Sequence, residues 1–116
     1  MQPDVAKFLE DVRRACELLH RFTHGKSFTD YEADELLRAG VEREFTIIGE
    51  ALMQASKKDP TLDRHFTALP RIIGFRNLLV HGYATIDNLT VWGVVEKNLP
   101  LLKQQVEALL AQAGPP

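Results

Sequence analysis

The sequence predicts an all-α fold, an antiparallel bundle of four main helices with room for a short extra one. Three observations lead there. Apolar residues recur at three- and four-residue steps through most of the 116 residues. No segment alternates apolar and polar residues as a half-buried strand would, and glycine and proline punctuate the chain so that the connections are short.

The elements follow in order. Val5, Phe8, Leu9, Val12, Cys16 and Leu19 lay one apolar stripe along a first helix running from about Asp4 toward Phe22, and Gly25 stands where it should stop. Thr29, followed three residues later by Glu32, has the form of a capping box. Beyond it Leu37, Val41, Ile48, Leu52 and Ala55 continue one face along a long second helix. Lys57 and Lys58 fall in its last turn, where cations suit the helix dipole, and Pro60 ends it. Gly40 and Gly49 each weaken this helix by up to ~1 kcal/mol relative to alanine, so they mark a close helix contact or a bend. Pro70 suits the first turn of a third helix, with Ile72, Phe75, Leu78 and Leu79 on its buried side and Gly82 closing it. A fourth starts near Asp87 or Asn88 and runs to about Gln112, kinked at Pro100, which removes a backbone donor and crowds the turn before it. Residues 113–116 are expected to fray.

No repeat, linker or low-complexity segment divides residues 1–116, so they read as one domain. A core of this size is sufficient but marginal, and burying more surface in a homodimer would help. Hydrophobic residues make up 45% and charged ones 26%, ordinary for a soluble globular protein. No apolar run approaches the roughly 20 residues of a membrane span, and the N-terminus mixes acids with bases, unlike a signal peptide. With Cys16 as the one cysteine there is neither an intramolecular disulfide nor a cysteine metal site, and the cytoplasm is the default location.

The net charge of −2 does not announce a polyanion binder, but its distribution is uneven. Between Asp63 and Asp87 there is no acid, while Arg64, His65, Arg71, Arg76 and His81 all fall there, with Lys57 and Lys58 just upstream. The stretch Arg76-Asn77-Leu78-Leu79-Val80-His81-Gly82-Tyr83 sets an arginine, an amide, a histidine and a phenol into an otherwise apolar segment. Arginine offers phosphate a planar fork of donors, and histidine exchanges protons near neutrality. Together they suit phosphodiester chemistry without a metal or cofactor. His20, His24 and His65 have no metal-ligand spacing, and the HExxH, glycine-rich phosphate-loop and GxSxG patterns are missing.

On a helix, Arg76 and Tyr83 share a face and Asn77 and His81 share another, but Arg76 and His81 diverge by about 140°. Two routes bring them together. Either the helix breaks at His81 and Gly82, or two copies meet across a two-fold axis and build shared clefts. Each residue also has a plainer role open to it. Arg76 can ion-pair with an acid such as Glu50, and His81 can cap the helix C-terminus. Asn77 can be solvated, and Tyr83 can pack its ring with its hydroxyl hydrogen-bonded. Trp92 and Phe75 suit the core or a dimer interface better than base stacking.

Arg76, four intervening residues, His81, one residue and Tyr83 resemble the R-x4-H-x-Y signature of HEPN-domain ribonucleases, specifically the HepT-like toxins. The segments Val41–Ala51, Tyr83–Asp87, Val91-Trp92 and Leu99-Pro100 are also similar to that family, so the likeness runs from about Asp4 to Leu110. It implies an all-α HEPN-type homodimer with a composite cleft, the toxin of a type VII pair whose antitoxin is a minimal, MntA-like nucleotidyltransferase. It also implies a metal-independent endoribonuclease acting on RNA. His81 would be the general acid/base for attack of the 2′-hydroxyl on the adjacent phosphate, and Arg76 would stabilise the charge that develops there. Asn77 would support the substrate contact, and Tyr83 would be the hydroxyl to which AMP is added. A non-catalytic nucleotide- or substrate-binding subunit of a nucleotidyltransferase is the alternative, and a helical adaptor whose polar motif stabilises its dimer is a third reading.

Overall fold

A computed structural model describes residues 1–113, apart from the Tyr83 side chain; of the tail expected to fray, 113–116, Ala113 ends the last helix and residues 114–116 lie outside the described residues. The chain is all-α, with helices α1 (Pro3–Thr23), α2 (Phe28–Ala33), α3 (Glu35–Lys58), α4 (Leu69–His81), α5 (Asn88–Lys97) and α6 (Leu99–Ala113). Short 3-10 turns at Pro60–His65 and Tyr83–Thr85 precede and follow α4.

The first helix forms as its stripe requires. Val5, Leu9, Val12, Cys16 and Leu19 are completely buried, and Asp4 sits in the first turn, where a carboxylate suits the helix dipole. The Thr23 hydroxyl donates to the Leu19 carbonyl at 2.7 Å, and Gly25 turns the chain at φ +74°, a conformation that a residue with a Cβ rarely adopts.

The expected long second helix is split in two. The capping box lies at Ser27, not Thr29: the Ser27 hydroxyl accepts from the Asp30 N–H at 3.2 Å, and the Asp30 carboxylate accepts from the Ser27 N–H at 2.9 Å. One turn later Asp34 breaks the helix and caps α3, accepting from the Leu37 N–H at 3.0 Å. Short polar side chains compete with the helix for backbone donors, and here they win twice within eight residues. The packing reason is Tyr31, which the short α2 turns wholly inside, its ring 5.2 Å from that of Trp92 on α5. The core reading of Trp92 therefore holds.

α3 is the central helix. It packs along α1 and α4 and also touches α2, while α1 meets α6 and α5 lies against α2 and α6. Its end is closed by the Asp59 N–H, which donates to the Ala55 carbonyl at 2.9 Å, and is tied to α1 by the Lys58 ammonium 3.2 Å from Asp4. The last two helices are separate elements, not one helix kinked at Pro100. The break falls at Asn98, whose N–H still donates to the Val94 carbonyl at 2.9 Å, and Pro100 falls in the first turn of α6, where a missing N–H costs nothing. No helix of the described residues is long and apolar enough to cross a membrane.

α4 differs from its expected burial. Leu69 and Leu79 are buried, and Ile72 and Phe75 are partly so, but Leu78 is 38% exposed. α4 packs chiefly on α3, so a helix apolar on several sides has a neighbour on one.

Candidate functional site

Where α4 crosses α3, Gly49 faces Arg76. A Cβ on Gly49 would stand within 2.7 Å of Arg76 Cγ and closer still to its Cβ, so only a glycine lets the two helices approach this far. The expectation that Gly49 marks a close helix contact is met, and the partner is a candidate site residue.

The arginine stem lies over Gly49, and its head group reaches the next residue of α3. Arg76 Nη2 is 2.8 Å from Glu50 Oε2, with the arginine side chain 19% exposed and the glutamate 43%. Glu50 Oε1 accepts from Gln54 Nε2 at 3.1 Å, and Arg76 Nη1 donates to Asn77 Oδ1 at 2.9 Å. These contacts link four side chains, Gln54–Glu50–Arg76–Asn77, across two helices. The Arg76–Glu50 contact is an ion pair without hydrogen-bond alignment: Arg76 Nε and Glu50 Oε2 are buried with no hydrogen-bond partner among the described residues. Charge attraction tolerates that misalignment, whereas a hydrogen bond does not. With its oxygen engaged by Arg76, exposed Asn77 presents its amide N–H groups outward.

His81 is elsewhere. It is the last residue of α4, exposed, and makes no hydrogen bond or ion pair among the described residues. The helix end is closed by the Gly82 N–H, which donates to the Leu78 carbonyl at 2.8 Å, so the imidazole is not needed as a cap. The helix does stop at His81, yet Arg76 and His81 still sit about 140° apart on α4. Asn77 and His81, one turn apart, do share a face. Tyr83 begins the 3-10 turn beyond the helix, so the seven-residue spacing no longer places it on the Arg76 face; its side chain lies outside the described residues.

Two depressions flank α4. On one side Arg76 and Glu50 line an open groove with Phe8, Asp11, Arg43 and Thr46. On the other an apolar cleft separates α4 from α5 and α6, lined by Ile72, Phe75, Val94, Leu99 and Leu102. Phe75 meets Phe45 edge-on there, with centroids 5.4 Å apart. Of the basic stretch, Arg64, His65 and Arg71 are exposed and outside any ion pair among the described residues.

The remaining chemistry-bearing groups are quiet. Burial pushes the Cys16 thiol up to about 12, which keeps it from acting as a nucleophile. Burial also raises the Tyr31 phenol, whose hydroxyl finds no hydrogen-bond partner among the described residues. His20 and His24 stack at 5.2 Å at the end of α1. No grouping of three His, Cys, Asp or Glu side chains suited to a metal ion occurs among the described residues.

Sequence reasoning treated Glu50 only as a plainer partner for Arg76 and passed over Gln54. The signal that ties them to the site is the run Gly49-Glu50 with Gln54 one turn later: a small residue for close approach, then an acid, then an amide steadying it.

A sequence model of the family described as "Ribonuclease HepT-like" matches residues 12–109. A Thermococcus cleftensis protein named "Probable ribonuclease HepT" is 33% identical over 105 residues, spanning 88% of this chain and 92% of that protein. A Caldanaerobacter subterraneus protein named "Putative RNase" is 31% identical over 105 residues, with 89% and 91% covered. A Methanocaldococcus jannaschii protein of the same description is 29% identical over 106 residues, with 90% and 94% covered. No solved structure matches significantly.

Proposed function

Since the chain belongs to the HepT-like ribonuclease family, we propose that it is a metal-independent endoribonuclease whose active cleft is composite, formed by Arg76 of one protomer and His81 of the partner subunit. Support comes from one arrangement on α4. Arg76 is tied to Asn77 through Nη1, and His81 stands exposed at the end of the same helix, about 140° from Arg76. A two-fold axis beside α4 would set each Arg76 against the opposite His81. The helix offers a surface for that axis: it packs chiefly on α3, exposes Leu78 and Val80, and borders an apolar cleft.

In that cleft, neutral His81 takes the proton of the ribose 2′-hydroxyl. The O2′–P bond forms, the P–O5′ bond breaks, and the imidazolium returns a proton to O5′, leaving a 2′,3′-cyclic phosphate. Arg76 stabilises the extra charge on the five-coordinate phosphorus, and the Asn77 amide donates to a phosphate oxygen. The cognate partner is a minimal nucleotidyltransferase acting as antitoxin, and Tyr83 is the hydroxyl it modifies with AMP. That places negative charge and bulk beside the cleft and excludes RNA.

The test is cleavage of structured and single-stranded RNA in chelator by protein confirmed free of AMP by intact mass, beside folded dimeric Arg76→Ala and His81→Ala. Cleavage by the wild type and loss in both variants is the expected result. A verified unmodified dimer that cuts no RNA turns the assignment toward a binding subunit of a nucleotidyltransferase.

A further inference from the structure

Glu50 and Gln54 lie outside the signature motif, yet they carry the contact that fixes the motif's arginine. Arg76 is largely buried and the Glu50 oxygen that meets it is buried too, and taking such charges out of water offsets much of their attraction, so the Arg76–Glu50 contact is poorly explained as a fold-stabilising bridge. What it does is restrict motion. Arg76 Cβ and Cγ are confined over Gly49, Nη2 is tied to Glu50, and Nη1 is tied to Asn77, so the long side chain has little rotameric freedom left. Glu50 is itself tethered, since its other oxygen accepts from Gln54. A guanidinium has five N–H donors. Nη1 spends one N–H on Asn77 and Nη2 is held by charge attraction to Glu50, so terminal N–H groups remain for an incoming anion.

We infer that Glu50, steadied by Gln54, is a positioning residue for Arg76, holding the guanidinium so that its remaining N–H groups meet an RNA phosphate, with Gly49 providing the close approach on which the contact depends. This rests on the ribonuclease reading of Arg76. A donor aligned in advance is worth more to a developing charge than one that must be oriented during the reaction. The carboxylate acts only through the arginine and touches no reacting atom. A competing arrangement, in which Glu50 is a latch that phosphate must displace, predicts the opposite sign for its removal.

The test uses the full-length protein as Glu50→Ala, Glu50→Gln, Arg76→Ala and the Glu50→Ala/Arg76→Ala double variant, each checked for folding, dimer mass and absence of AMP. Steady-state cleavage of an RNA oligonucleotide is measured in chelator, and the Arg76 Nε–H resonance is followed by NMR, assigned by its loss in Arg76→Ala. In Glu50→Ala, kcat should fall about ten- to hundredfold with KM changed by less than about threefold, because misplacement acts on the transition state. Glu50→Gln, which keeps the shape but removes the charge on which this misaligned contact depends, should lose about as much as Glu50→Ala. The double variant should be no slower than Arg76→Ala alone, since Glu50 works through that arginine. Wild-type kcat in Glu50→Ala, faster cleavage or tighter RNA binding on its removal, or additive losses in the double variant overturn the inference. If the wild type cuts no RNA, the ribonuclease reading fails by itself, and the resonance decides the positioning role. An ordered Nε–H that becomes mobile in Glu50→Ala supports it, and one already mobile in the wild type overturns it.

Discussion

Helices α1 and α4 are both apolar enough to be core elements, and the chain uses them in opposite ways. α1 buries a continuous stripe between α3 and α6 and puts its charges outside, where Arg13 pairs with Glu10 and Glu17. α4 buries only Leu69 and Leu79, leans on one neighbour, and leaves Leu78 and Val80 exposed between its polar residues. The first helix is satisfied within one chain; the second is not. A helix whose apolar surface exceeds what its own fold covers is suited to meeting a second copy, and the motif residues ride on that helix.

The contrast is open to attack from both sides. The largest effect belongs to α4: Arg76→Ala and His81→Ala should each lower RNA cleavage by about 10²- to 10⁴-fold, the range for losing a charge-stabilising or proton-transfer group. Thermal unfolding of His81→Ala should stay near that of the wild type, whereas Arg76→Ala, which strips packing from Gly49 and leaves Glu50 unpaired, should cost about 1–3 kcal/mol, which calorimetry checks. On α1 the pattern should reverse. Leu9→Ala, at a completely buried position, should cost about 2–5 kcal/mol of unfolding free energy in denaturant titration, while cleavage per folded molecule is retained.

At the junction of scaffold and site, Gly49→Ala should do some of each. Its added methyl meets the Arg76 stem, so α4 must move off α3 at a cost of about 1–3 kcal/mol, and cleavage should fall with it. Leu78→Gln on the exposed face of α4 should shift the protein from dimer toward monomer by light scattering. It should change the stability of the monomer itself by about 0.5 kcal/mol or less, as for other surface substitutions.

The smallest effect concerns pH and the caps at the starts of α2 and of the Pro60–His65 turn. The Ser27 N–H holds the Asp30 carboxyl below its ordinary 3.8, and the Thr61 hydroxyl does the same for Asp59. Both bind protons more weakly folded than unfolded. Their contribution is therefore present above the ordinary value of 3.8 and lost as pH falls through the lowered folded values. The thermal midpoint should decline in that acid range, and Asp30→Asn with Asp59→Asn should flatten the decline.

How much of this the sequence shows follows the same division. The α1 stripe, the stops near Gly25 and Pro60, the start at Pro70 and the close at Gly82 are local patterns, and they are legible because local sterics and periodicity decide them. The break at Asp34 is not, since it depends on the burial of Tyr31 against Trp92, residues sixty-one positions apart in the chain. Asn98 gives no signal either; Pro100 does, but it marks the first turn of a new helix and not a kink. In the site, Gly49 and Glu50 are visible as a close contact and an available acid, but their convergence on Arg76 needs the α3–α4 crossing. Arg76 and His81 sit about 140° apart on α4, so neither periodicity nor the packing of this chain brings them together, and their convergence belongs to the proposed dimer.

The most direct measurement of the composite cleft mixes the two inactive variants. Arg76→Ala and His81→Ala, each folded and cleavage-deficient, are dissociated, combined in equal amounts and reassociated, with mixed dimers verified by native mass spectrometry. If Arg76 serves His81 of the partner subunit, each mixed dimer holds one intact cleft and one doubly impaired cleft. Random exchange then restores about a quarter of the wild-type cleavage. If verified mixed dimers remain as inactive as their parents, arginine and histidine do not act across the two-fold axis, and the shared-cleft account is wrong.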